Sequence, residues 1–135
     1  SGQEAGLKAA REGYEVVMCP AQHVYFDMAQ TANPLDRGVS WAAIVSMKDA
    51  LDWDPVPLDE PELEQNIIGI QGALWSETII EDKDMDTMLV PRILALSEVS
   101  WSSTLRKRSL PEFMGSVKYF SRVLNQLGWE SYQLN

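Results

Sequence analysis

Residues 66–77, NIIGIQGALWSE, carry a short apolar run (Ile67, Ile68, Ile70), two glycines (Gly69, Gly72), and then a Trp and a carboxylate two positions apart. β-Branched residues bounded by glycine predict a buried strand, here 66–74. Glycines near its end suit a strand that bends or that another group approaches closely. Residues i and i+2 of an extended chain point the same way, so Trp75 and Glu77 would project together at the mouth of the strand. An apolar plate beside a carboxylate can hold a sugar, with C–H groups against the indole and hydroxyls donating to the carboxylate. The plain alternative makes Trp75 core and Glu77 the start of a solvated helix.

The run YEVVMCPAQHVYFD, ending at Asp27, has the same form. Val16, Val17 and Met18 predict a strand over 14–20 stopped by Pro20, and a second aromatic–x–carboxylate pair follows, Tyr25 and Asp27. Two such pairs, each after an apolar strand, suggest a repeated βα unit that presents ligand groups at its C-terminal ends. Outward from these strands, residues 4–12 read as a helix capped by Gly13. Residues 20–39 read as a long loop, and 41–51 as loop then helix with Ser46 a candidate N-cap. Residues 52–62 are a Pro- and acid-rich connection. The best helix is 84–101, with an apolar stripe of Met88, Leu89, Ile93, Leu96 and Val99 and with Pro91 in its early turns. Ser109, Pro111 and Glu112 open a last helix, 111–127, stopped by Gly128. The order α-β-loop-α-β-α-α implies an α/β fold with parallel strands and crossover helices. Two strands alone cannot bury both faces of a parallel sheet, so the chain is expected to be part of a larger fold. A start without an initiator Met points the same way.

The 135 residues fit one modest domain, and 45% hydrophobic content supports a core. A formal net charge of −9 argues against nucleic acid or an anionic membrane surface as partner. One cysteine, Cys19, excludes an internal disulfide, and one Cys with one His, His23, makes no zinc pattern. No stretch approaches the ~20 apolar residues of a membrane span. No cofactor or metal is expected. The acidic cluster Glu81, Asp82, Asp84 and Asp86 lacks EF-hand spacing and complements a helix dipole instead. Trp53 and Trp101 are read as packing residues, with Trp101 closing the stripe of the long helix.

Taken together, YEVVMCPAQHVYFDM, RGVSWAA, DALDWDP, IIGIQGALWSE and VPRILALSEVSW resemble the C-terminal part of the catalytic barrel of family 20 glycoside hydrolases, the β-N-acetylhexosaminidases and chitobiases. The resemblance runs from about Gly6 to Trp129. It implies a (β/α)8 TIM barrel with its site at the C-terminal ends of the strands, and it makes 14–20 and 66–74 the seventh and eighth strands. It also implies roles. Tyr25 would donate to the substrate's acetamido oxygen. Asp27 would accept from a sugar hydroxyl, by analogy O6. Trp41 would wall the −1 pocket or the adjoining +1 side. Trp75 would face the pyranose, and Glu77 would bind O3 and O4 at the non-reducing end, which favours exo action. The implied mechanism is substrate-assisted retention on oligosaccharides ending in N-acetylglucosamine or N-acetylgalactosamine. The implied compartment is periplasmic, secreted or lysosomal, undecided among the three.

The family's acid is a Glu preceded by Asp at the end of the fourth strand, and no segment here matches it. Asp59-Glu60 lies between prolines in a connection and is read as solvated. The upstream Arg that would share O3 and O4 is also missing, and His23 does not match the family's pocket histidine. The chain alone is therefore expected to be inactive. It is also expected to self-associate, because a partial barrel exposes strand edges and apolar faces. A non-catalytic carbohydrate-binding or pseudo-enzyme module is the rival, and a structural α/β domain with coincidental aromatics a third possibility.

Overall fold

Gly13 ends the first helix, as a residue at φ +93° can do without cost only when it lacks a Cβ. The N–H of Gly13 reaches Ala10 O and that of Tyr14 reaches Ala9 O, a Schellman closure. The computed structural model describes residues 2–103 and 105–134. In it α1 (Gly2–Arg11) lays Leu7 and Ala10 onto the core. β1 (Val16–Met18) and β2 (Ile67–Ile70) form a two-stranded parallel sheet. Val16 lies opposite Ile67, Val17 opposite Gly69 and Met18 opposite Ile70, with an irregularity between Val16 and Val17.

Both strands are shorter than the expected 14–20 and 66–74. Gln71 N still donates to Met18 O at 2.9 Å. The partner chain then turns at Pro20 into α2 (Ala21–Val24), because proline has no N–H to continue a ladder. Pairing resumes after this detour: Ala73 N donates to Val24 O at 3.0 Å and Phe26 N to Ala73 O at 2.7 Å. The 20–39 segment, expected as loop, thus holds a helical turn and two isolated bridges, Tyr25 with Ala73 and Met28 with Val39.

α3 (Met47–Leu51) starts with a reciprocal capping box between Ser46 and Asp49. A 3-10 turn, Pro61–Gln65, leads into β2. The single helix expected over 84–101 is two, α4 (Asp82–Leu89) and α5 (Arg92–Trp101). Pro91 disfavours helical geometry at the residue before it, and Val90 is extended at φ −93°, ψ 125°. α6 (Leu110–Gln126) opens with the Ser109–Glu112 capping box, and Gly128 lies just past its end at φ +95°.

Met18, Val24, Phe26, Leu51, Ile67, Ala95, Val99, Phe113 and Val117 belong to one buried cluster beneath one face of the sheet. Each fully buried large apolar side chain there contributes about 1.5–3 kcal/mol. Val17 and Ile68, on the strands themselves, remain exposed. Trp53 is buried, donates from Nε1 to Ala50 O at 3.1 Å and stacks on His23. Trp101 departs from the expected stripe: it is 88% exposed, because nothing in the described chain packs across from that end of α5. Asp59-Glu60 is not simply a solvated connection either, since Glu60 makes a two-toothed pair with Arg11 of α1 at 2.6 and 2.8 Å.

Candidate functional site

The resumed pairing between Tyr25 and Ala73 brings the two aromatic–x–carboxylate segments side by side. The Tyr25 ring lies 6.1 Å from Trp41 and 6.2 Å from Trp75, at interplanar angles of 75° and 64°. These edge-on contacts suit the quadrupoles of aromatic rings and leave broad indole faces outside. Trp41 is 70% and Trp75 53% exposed. Two indoles so exposed around one tyrosine form open apolar walls rather than core, which sets aside the plain alternative for Trp75. Glu77 is exposed at the turn that follows, where Ile79 N closes onto Ser76 O at 3.1 Å.

Asp27 is 3% exposed, and its Oδ1 has no hydrogen-bond partner within the protein. Burial pushes its carboxyl above the ordinary aspartate value. Its own backbone N–H and that of Trp75 pull it down, the charge of Glu77 pushes it up, and the guanidinium of Arg92 pulls it down. A buried carboxylate oxygen without a partner is costly, and its natural complement is a hydroxyl or N–H donor.

Two residues that hold this arrangement escape the sequence argument. Arg92, at the start of α5, is fully buried. It donates to Phe26 O (2.5 Å), Met28 O (2.8 Å), Val45 O (2.9 Å) and Met88 O (2.7 and 3.1 Å), and its guanidinium lies 5.3 Å from the centre of the Phe26 ring. Phe26 O belongs to the peptide that enters Asp27 and Met28 O to the peptide one residue beyond it, so one side chain holds the backbone on both sides of Asp27. Burial draws the Arg92 pKa down to about 9, which leaves it charged at neutral pH, and the Asp27 charge opposes the fall. The available signal was a lone cation inside the apolar run of 90–96. The second residue is Arg37, which donates to Thr78 O beside Glu77 and pairs with the buried Asp84 at 3.0 Å.

Asp84 also accepts from Ile80 N and Glu81 N. Its burial alone would raise its pKa, but those donors and Arg37 outweigh it and hold the pKa low. The acidic run therefore caps α4. Among the described residues no group of three or more His, Cys, Asp or Glu side chains is placed to hold a metal ion, and no helix is long and apolar enough to cross a membrane. Cys19 is partly buried, and burial raises its pKa. The His23 Nδ1–H donates to Asp49 O at 2.8 Å, on the α3 side of the fold.

The description "Glycosyl hydrolase family 20, catalytic domain" matches residues 1–104. A β-N-acetylhexosaminidase of Cellulomonas fimi is 31% identical over 123 residues, which is 91% of this chain and 24% of the relative. A β-hexosaminidase of Vibrio furnissii is 39% identical over 98 residues, 70% of this chain and 16% of the relative. The crystal structure of a family 20 exo-β-N-acetylglucosaminidase from Vibrio harveyi, in complex with N-acetylglucosamine, superimposes with a TM-score of 0.88 at 34% identity, covering 98% of this chain and 21% of that one. The chain thus spans about a quarter or less of the length of these relatives.

Proposed function

The chain belongs to glycosyl hydrolase family 20, and on that premise we propose that it is the C-terminal part of the (β/α)8 catalytic barrel of an exo-acting β-N-acetylhexosaminidase. β1 and β2 are then the seventh and eighth strands. Their parallel pairing through a crossover that contains α3 supports this. The exposed Val17 and Ile68 become positions that the remaining strands cover.

The observation that carries the proposal is Tyr25 set between two exposed indoles, with the unpartnered Asp27 Oδ1 beside them. Trp75 faces the pyranose of a terminal N-acetylhexosamine, and Trp41 walls the pocket or its +1 side. Asp27 accepts from a sugar hydroxyl, by analogy O6, and Glu77 from O3 and O4. Tyr25 donates to the 2-acetamido oxygen and so fixes the rotamer in which that oxygen lies near C1, a proximity effect. The acetamido oxygen attacks C1 as the glycosidic C1–O bond breaks, and the leaving oxygen takes a proton from an acid outside this chain. Water then opens the oxazolinium with net retention. Asp59-Glu60 does not supply that acid, because Glu60 is tied to Arg11 away from the aromatic walls.

The test is hydrolysis of p-nitrophenyl N-acetyl-β-glucosaminide by this chain and by the full-length polypeptide that contains it. Activity in the longer protein alone supports the proposal. Activity in the chain alone would place the acid within it and overturn the proposal. Inactivity in both would favour a carbohydrate-binding module without catalysis. The isolated chain self-associates through its uncovered sheet face; a monomer at all concentrations in sedimentation velocity would contradict this.

A further inference from the structure

Glu77 sits on an exposed turn outside any helix or strand, yet a carboxylate that selects sugar hydroxyls must be held to within about 0.5 Å of its working position. The contact that ties this turn to the rest of the site comes from Arg37. Its Nη1 donates to the carbonyl of Thr78, the residue after Glu77. Its Nη2 pairs at 3.0 Å with Asp84, whose other oxygen accepts from Ile80 N at 3.0 Å and Glu81 N at 3.1 Å. The far side of the turn is therefore gripped as well.

Arg37 is itself anchored to Asp27 through backbone. Gly38, at φ +125°, lies so close that a Cβ there would come within 2.7 Å of Ala29 N and 2.8 Å of Asp27 O. Val39 N donates to Asp27 O at 2.9 Å, and Ala29 N to Val39 O at 2.8 Å. A continuous path of short contacts thus runs from the backbone of Asp27, through 37–39, to the backbone of Thr78, the residue next to Glu77.

We propose that Arg37 is a positioning residue that sets the Glu77 carboxylate relative to Asp27, and thereby the affinity for the hydroxyls of the terminal sugar. The inference rests on the sugar-binding roles proposed above for those two carboxylates. A planar fork suits this task, because it reaches a carbonyl and a carboxylate at once. A lysine ammonium is a point charge with no such fixed fork.

The test is a double-mutant cycle in the full-length polypeptide, read as KM and kcat on p-nitrophenyl N-acetyl-β-glucosaminide. Arg37→Met raises KM roughly tenfold and leaves kcat within about twofold, the signature of lost ground-state binding. Arg37→Lys falls between Met and wild type. Glu77→Gln raises KM in the wild-type background, but changes it less than about twofold in the Arg37→Met background, because the carboxylate is already displaced. Asp27→Asn keeps its full effect in both backgrounds. An undiminished Glu77→Gln effect beside Arg37→Met would overturn the proposal and leave Arg37 as an ordinary loop stabiliser. If Arg37→Met does not fold, Arg37→Lys carries the same cycle. If Glu77→Gln is silent on its own, the sugar-binding assignment of Glu77 fails, and the role of Arg37 falls with it.

Discussion

Replacing Arg92 by Met tests whether one buried cation organises the site. In the native fold its guanidinium donates to the carbonyls of Phe26, Met28, Val45 and Met88, four backbone groups from three separate segments. Met matches the length of the stem but donates nothing, so all four carbonyls lose that partner. A buried polar group deprived of its hydrogen bond costs about 1–3 kcal/mol, which places the gross loss at roughly 4–12 kcal/mol. Removing the cation returns several kcal/mol of its own desolvation cost, so the net loss is about 2–4 kcal/mol. Unfolding entropy of about 2.1 cal/mol/K per residue over 135 residues converts this to a fall of roughly 7–14 °C in the thermal midpoint. The assay is urea and thermal unfolding followed by tryptophan fluorescence at a fixed chain concentration, since association changes apparent stability. Arg92→Lys keeps the charge but not the fork, and its stability falls between the two. A Met variant within about 1 kcal/mol of wild type would refute the reasoning, and so would a Lys variant as stable as Arg.

Gly38→Ala forces a Cβ onto the backbone of Asp27 and Ala29 at φ +125°. It costs about 2 kcal/mol or more in urea unfolding, and an unchanged midpoint would mean that the 37–39 segment yields easily. Asp27→Asn has a pH signature. The folded-state pKa of Asp27 is raised, so its contribution favours the fold below the unfolded value and is lost as pH rises through the folded one. Relative to wild type, the Asp27→Asn variant therefore gains stability as pH rises from the ordinary aspartate value through the raised folded-state one; a difference that is flat or of opposite slope counts against the burial of this carboxyl. Ser109→Ala removes one half of the α6 capping box and lowers stability by about 1 kcal/mol, read as a shift in urea midpoint with unchanged slope. No shift would indicate that α6 is held by packing of Phe113 and Val117 alone.

The helix ends were legible because they depend on near neighbours. Gly13 and Gly128 take positive φ, and Ser46 and Ser109 reach N–H groups three residues on. The two apolar strands and the aromatic–x–carboxylate pairs at their ends were equally visible in the order of residue types, and they carried the family resemblance. The course of 84–101 was half visible. Pro91 stood in the sequence, but whether a proline kinks a helix or divides it depends on what the chain on either side packs against. Trp101 kept the period of a core residue, and only the absence of a facing element made it a surface one. The supports of the site were illegible for the same reason. Arg92 meets Phe26 O across 66 positions and Arg37 meets Thr78 O across 41. A sequence states that a residue carries a charge; only the tertiary fold decides which buried carbonyls come within hydrogen-bonding reach of it, and so whether the charge is solvated or built into the walls of a site.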